Sequence, residues 1–432
     1  MQNGARSDPG LIFTLPPQLG SYTPDGAFES GMRFLAILRN AVYNKNNLLH
    51  KCWKGKINEQ IYPPPLIEGE PYFDRNMTDL LKGVALIFMF VHHLFTFPSW
   101  YIDSISYPEL EAFAHIFCMP FKICVGIFAF LTGYTYAFQR NKSLRYSFRK
   151  ILLFLSAYWV SYAVLLGFCA ILGQPLPGLK AFVCELFALK RPIMSFCWYV
   201  SFYCLAMLIL PLIAPAIEWN LLSGIALGVF APVFIRGILP KIHILGEAIG
   251  SIPEWFPCVA IGWIFAQYHV FEQLFDRLFK EKIKFQWQNF ILQAGIAFAA
   301  FLGRYVMPAF SFGSVSTPWG DQNLSLNLDV VYVPFFVYAM ITILSMIAKC
   351  QVGRFLLELL KKIGQKSMLM WFLHCVLLNN CRRFFQRVIY FPHNPVLVIL
   401  WALIFFYAAA CIVNIPVARL SAWEKAQLKR IQ

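Results

Sequence analysis

Blocks of about 18 to 22 residues in which charge almost vanishes recur along this chain, and each is long enough to cross a hydrocarbon core of roughly 30 Å. Inside lipid a backbone must satisfy its own polar groups. For runs this apolar, with no alternation of polar and apolar residues, that leaves only the helix. The whole chain bears this out: 59% of its 432 residues are hydrophobic and 14% are charged, where an ordinary soluble domain carries about a quarter charged. Phe (43), Tyr (19) and Trp (12) are abundant enough to supply lipid-facing and interfacial surfaces. The fold class read from these blocks is an all-α polytopic membrane protein of about ten transmembrane helices. The expected spans are residues 79–98, 116–137, 151–172, 197–216, 221–238, 254–271, 289–307, 330–348, 367–381 and 395–417.

The formal charge of +15 raises the question of nucleic acid, and the placement of the charge answers it. With the N-terminus inside, the inner connections carry about 26 Lys and Arg and the outer ones 7, which is the bias that orients a membrane protein. Both termini are therefore expected in the cytoplasm, and nucleic acid drops out as a partner. Three regions follow: a polar, Pro- and Gly-punctuated cytoplasmic extension over 1–71, a ten-helix domain over 72–417 and a short cytoplasmic tail over 418–432. A basic, apolar stretch from Met32 to Tyr43 in the extension is suited to a helix lying on the membrane surface. The first long apolar run begins near Leu80, so no secretory leader is expected ahead of it. The fifth, sixth and ninth spans are short or carry polar residues, and Arg236 and Arg304 sit near outer ends, where they could snorkel. The connection 308–329 reads as a long polar outer loop.

Twelve cysteines are scattered, mostly within apolar runs (Cys118, Cys124, Cys169, Cys204, Cys375, Cys411), with no CxxC or ligand-like spacing. They read as small buried hydrophobes, and neither a metal site nor a disulfide framework is expected.

Ionisable side chains inside a span cost about 2.5–3.5 kcal/mol each on insertion scales, so they tend to mark function. The first span holds the densest set, Arg75, Asp79, Lys82, His92 and His93, within YFDRNMTDLLKGVALIFMFVHHLF. At 100° per residue, Lys82 and His93 fall within about 20° of one another and about 16 Å apart along the axis. Arg75 shares that face if the helix reaches it, whereas His92 points away by most of a right angle. One stripe thus runs from cations at the cytoplasmic edge to an imidazole in the outer half of the bilayer. Either Lys82 snorkels while His93 bonds a neighbouring helix, or the cations hold an anionic cofactor while the imidazole acts as a base. His374, in SMLMWFLHCV, reads alone as a helix-packing hydrogen bond. Lys122 reads as a snorkelling side chain, the cluster Arg140 to Lys150 as orientation signal first, and Asp329 is open to either reading.

These residues resemble the acyltransferase-3 family, membrane-bound enzymes that O-acetylate cell-surface polysaccharides. Lys82-x10-His93 is similar to the family's first-span signature, which usually has Arg in place of Lys82. KICVGIFAFLTGYTYAF, with Thr132-Gly133-Tyr134, resembles the second span, and Phe148-Arg149-Lys150 stands at the cytoplasmic basic segment. Trp198 to Pro211 resembles the Trp-Tyr opening of the fourth span, and Gly364 to His374 resembles the G-x-x-S-x-x-x-W-x-x-H run. The family's Arg-x-x-Arg is not clean here, where Arg145-x-x-x-Arg149 stands nearby.

The resemblance implies acyl transfer from acetyl-CoA, a donor co-substrate and not a resident cofactor, to a hydroxyl of a lipid-linked or exported glycan. It implies His93 as catalytic base or transient acyl carrier, and Arg75, Lys82, Arg145, Arg149 and Lys150 as the acyl-CoA phosphate holders. Asp79, Trp198, Tyr199 and His374 would support the site, and no metal is implied. The expected location is a bacterial cytoplasmic membrane. The rival from another class is a transporter or flippase for an anionic lipid or glycan. Transporters often show internal repeats and paired broken helices; no convincing repeat is found between the two halves, and the charged residues are weighted toward the first span.

Overall fold

The computed structural model describes residues 71–96, 118–188, 198–238, 246–279, 285–317 and 320–430. The expected N-terminal extension, with its surface helix Met32–Tyr43, lies outside them apart from Pro71. The described chain is helical nearly throughout: α1 (Arg75–Phe95), α2 (Ile123–Ala137), α3 (Leu144–Ile171), α4 (Leu179–Leu186), α5 (Trp198–Trp219), α6 (Leu221–Ile225), α7 (Ala231–Ile238), α8 (Gly246–Gln267), α9 (Asp276–Phe279), α10 (Gln286–Val306), α11 (Asp329–Ile347), α12 (Gln351–Asn380), α13 (Arg382–Ile389) and α14 (Pro395–Arg430). Six of these, α1, α3, α5, α10, α11 and α14, are long and apolar enough to cross a membrane by length and composition. The other expected spans also fall on helix. The second is the 15-residue α2 behind a tight turn, Met119–Lys122. The fifth is α6 and α7 joined by a π-turn, Ala226–Phe230, the sixth is α8 with Pro253 and Pro257 inside it, and the ninth is the C-terminal part of α12. This is an all-α polytopic architecture.

Small residues decide which helices meet. A Cβ on Gly364 of α12 would lie 1.7 Å from the Asp79 carbonyl of α1, and one on Gly133 of α2 would lie 1.8 Å from the Val259 carbonyl of α8. Backbones approach this closely only where a side chain is missing, which is how membrane helices gain packing without a hydrophobic drive. The contacts also keep the alternation of direction that successive crossings require. Along α1 and α12, Asp79 meets Gly364 and His93 meets His374, so the two run parallel. Along α2 and α8, Lys122 meets Glu254 and Tyr136 meets Trp263, parallel again.

The connection 308–329, expected as a loop, is a β-hairpin of β1 (Ala309–Thr317) and β2 (Gly320–Asn327). Its register slips between Ser311 and Gly313, and Gly313, at φ 109°, supplies a backbone conformation that other residues rarely adopt. Leu324 and Leu326 are buried, and Phe312 packs on Phe230 and Phe234. These apolar residues alternate with Ser, Asn and Gln, so the stretch reads as polar in composition although one face is anchored.

Arg304 does not snorkel. It is buried and donates to Asp329 Oδ1 at 2.5 Å, tying the end of α10 to the start of α11 across the hairpin. Lys122 is half-exposed, 3.6 Å from Glu254, and both Lys122 and Arg304 lie over the buried indole of Trp255. Among the expected buried cysteines, Cys118, Cys124, Cys169 and Cys375 are buried, Cys204 is intermediate and Cys411 is exposed on α14. The stretch expected as a tail continues α14 to Arg430, where buried Glu424 accepts hydrogen bonds from the Ser156 hydroxyl of α3.

Candidate active site

The site begins at the N-terminus of α1. Asp74 caps the helix, its carboxylate accepting from the Met77 N–H at 2.8 Å. That bond holds the Asp74 carboxyl below the usual carboxylate range, so the cap is strongest with Asp74 ionised and weakens as pH falls through the lowered value. Just before it, Tyr72 donates to Asp276 Oδ1 at 2.8 Å, and its N–H donates to the Tyr134 hydroxyl. The start of α1 is thereby tied to α9 and α2.

Arg75, the first helical residue, is exposed. Lys82, one to two turns in, is half-buried, with Nζ 3.4 Å from Oδ1 of buried Asp79. Arg145 is exposed, Arg149 half-buried and Lys150 exposed on the first turns of α3. Lys150 lies within electrostatic range of Lys425, Arg149, Arg75 and Lys82. Three helix ends, those of α1, α3 and α14, thus converge their cations on one end of the bundle.

The two histidines of α1 part company as their spacing predicts. His92 is buried, and its Nδ1 lies 3.2 Å from the Cys118 carbonyl and 3.0 Å from the Thr96 hydroxyl, a packing role. His93 is half-buried, and its Nδ1 stands 2.7 Å from Nε2 of His374 on α12. The two rings lie 5.0 Å apart at 30°. His374 has no exposed surface; Phe90 meets its ring edge-on at 4.7 Å, and Phe406 of α14 closes another side at 5.9 Å. The carbonyls of Met370 and Trp371 lie beside the ring, and neither closes a well-aligned bond to Nδ1. The Cys375 thiol is 3.7 Å from Nε2 of His374.

A family model described as an acyltransferase domain matches residues 78–419. The chain belongs to the acyltransferase-3 family. No curated protein and no solved structure matches it. The acyltransferase-3 match takes in Lys82, both members of the histidine pair and all of the cationic end except Arg75 and Lys425. The protein is a multi-pass membrane acyltransferase.

Trp198 and Tyr199 open α5 and are half-buried. Trp198 packs on Trp255, and Tyr199 meets Trp371, three residues before His374, edge-on at 5.7 Å. The structure therefore brings His93, His374, Tyr199 and Trp371 into one neighbourhood. Reading the sequence marks His93 and His374 separately and misses that they bond, because nothing in either segment names a partner 281 positions away. It also misses Cys375, which is indistinguishable in sequence from the other apolar cysteines.

Proposed function

We propose that this protein transfers an acetyl group from acetyl-CoA, delivered at the cytosolic face, to a hydroxyl of a cell-surface or lipid-linked glycan, with His93 as general base. The observation that carries this reading is the 2.7 Å hydrogen bond between His93 Nδ1 and His374 Nε2. With His374 protonated at Nδ1, its Nε2 is the acceptor of that bond. His93 then donates from Nδ1 and keeps its lone pair on Nε2.

The acceptor hydroxyl gives its proton to that Nε2 as its oxygen attacks the thioester carbonyl. Collapse of the tetrahedral intermediate expels the thiolate, which takes the proton back from His93. His374 holds the ring in one tautomer and one orientation, as a third group does in other nucleophile–base arrangements. Being neutral, it orients without adding the countercharge that a carboxylate would.

What supports the donor end is the convergence of Arg75, Lys82, Arg149 and Lys150 at one end of the bundle, with Lys82 about 16 Å along α1 from His93. Coenzyme A has its phosphates at one end and a long thin arm ending in the thioester, a shape that fits cations at the edge and a base at depth. For the acceptor, Trp198, Tyr199 and the polar face of the hairpin offer aromatic and amide groups to sugar rings.

The test uses radiolabelled acetyl-CoA supplied to inside-out vesicles. Wild-type protein is expected to place label in the glycan, and His93→Ala to abolish it with insertion and expression unchanged. Normal labelling by His93→Ala would defeat the assignment. Glycan movement without label would make the protein a carrier.

A further inference from the structure

We propose that His93, His374 and Cys375 form a three-coordinate site for monovalent copper, and that a bound ion switches the acyl transfer off. One ligand atom from each of the three residues lies within 4.8 Å of the others. His374 Nε2 is the centre of the group, 2.7 Å from His93 Nδ1 and 3.7 Å from Cys375 Sγ. A trigonal ion with bonds of about 2.0 Å to nitrogen and 2.3 Å to sulfur holds its donors about 3.5 and 3.7 Å apart. The sulfur–nitrogen distance already has that value. The nitrogen–nitrogen distance needs an opening of about 0.8 Å, from a hydrogen bond to a shared ligand geometry.

The donor set and its surroundings select the ion. One thiolate and two imidazoles are soft to intermediate ligands, which suit Cu(I) and Zn(II) and disfavour magnesium or calcium. Charge separates the first two. The thiol must lose its proton to ligate, so Cu(I) with one thiolate and two neutral imidazoles is electrically neutral. Zn(II) would leave a net positive charge among apolar side chains, within electrostatic range of Lys122, a costly arrangement in a low dielectric. Zn(II) would also want a fourth ligand, and no further Cys, His, Asp or Glu joins the cluster among the described residues. Phe90 and Phe406 pack against His374 and cover two sides of its ring.

The inhibition follows from the tautomer and rests on the reading of His93 as base; the binding does not. A metal at His93 Nδ1 displaces that nitrogen's proton to Nε2, and the Cys375 thiol proton leaves to solvent, so one proton is released per ion bound. With Nε2 protonated, His93 has no lone pair for the acceptor hydroxyl. His93 thus exchanges a hydrogen bond to His374 for a bond to copper, and its basic nitrogen is silenced.

The experiment titrates the full chain, purified in detergent under anaerobic reductant, with Cu(I) against a competing chelator, and reads copper per chain, the X-ray absorption ligand shell and acetyl transfer. Wild type is expected to retain one equivalent with one sulfur and two nitrogen neighbours, and to lose transfer until the chelator is raised. Cys375→Ser and Cys375→Ala are each expected to lose that equivalent and keep transfer in the presence of Cu(I). Copper uptake equal in wild type and both variants, or a sulfur-only shell from other cysteines, would overturn the site. Retained copper with undiminished transfer would leave the ion in place and overturn both the switch and the role of His93. One variant that fails to give monodisperse protein leaves the other to decide.

Discussion

In the proposed mechanism His93 and His374 divide one task between them: one ring meets the substrate, the other fixes which nitrogen of the first is basic. If His374 acts by orienting, a side chain that keeps an acceptor near the position of Nε2 should rescue part of the activity. His374→Gln is expected to retain a substantial share of kcat, while His374→Ala should lose about 10²–10⁴-fold with KM for acetyl-CoA unchanged. Steady-state kinetics on reconstituted protein checks the split, and equal loss in both variants would reduce His374 to packing. At the other end of α1, Lys82→Ala should raise KM for acetyl-CoA about 10- to 100-fold, the worth of a charged hydrogen bond, and Lys82→Arg should stay near wild type. Equal loss in both would mean that Lys82 serves to pair Asp79 and not to hold phosphate. Both ends of this stripe are legible in the sequence because ionisable groups in an apolar run stand out by their cost. The bond between the histidines is not, since helical periodicity gives direction within one helix and nothing across helices.

Among the helices, the register of α1 against α12 sets the distance between the two rings. Gly364 backs directly onto the Asp79 carbonyl, so a methyl group there must push the helices apart or slide them. Gly364→Ala is expected to lower kcat about 10²-fold, the usual consequence of an ångström of misplacement, while membrane insertion persists. Unaltered kcat would show that α1 and α12 slide freely past that contact. At the end of α10, Arg304→Leu leaves Asp329 buried without its partner and should cost about 3–5 kcal/mol, whereas Arg304→Leu with Asp329→Leu should recover most of it. Thermal unfolding in detergent reports both. Where their residues are described the expected spans fall on helix, and six of those helices are long and apolar enough to cross a membrane. What sequence leaves hidden is of another kind. Arg304 looks like a snorkelling side chain until its partner, 25 residues on, is seen beside it. The hairpin looks like a loop because its apolar residues are few and alternate with polar ones. The π-turn at Ala226–Phe230 carries no composition of its own.

For the molecule as a whole, the gathering of cations from α1, α3 and α14 at one end agrees with the excess of Lys and Arg expected in the inner connections, and accessibility can test it. In a chain stripped of other cysteines, Cys350, exposed between α11 and α12, should react with a membrane-impermeant maleimide only in inside-out vesicles. A cysteine at Ser316 in the hairpin should react only in right-side-out ones. The reverse pattern would invert the topology and with it the approach of the donor.

The Arg304–Asp329 pair bears on how such a chain is made. Each ion alone is costly to carry into the bilayer, and α10, whose helix is mostly exposed, packs chiefly against α11. Joined through the short hairpin, the two neutralise one another only when both segments leave the translocation machinery side by side. α10 and α11 thus enter the bilayer at lower cost as a pair than apart, since each ion finds its counter-charge only when the two helices stand side by side.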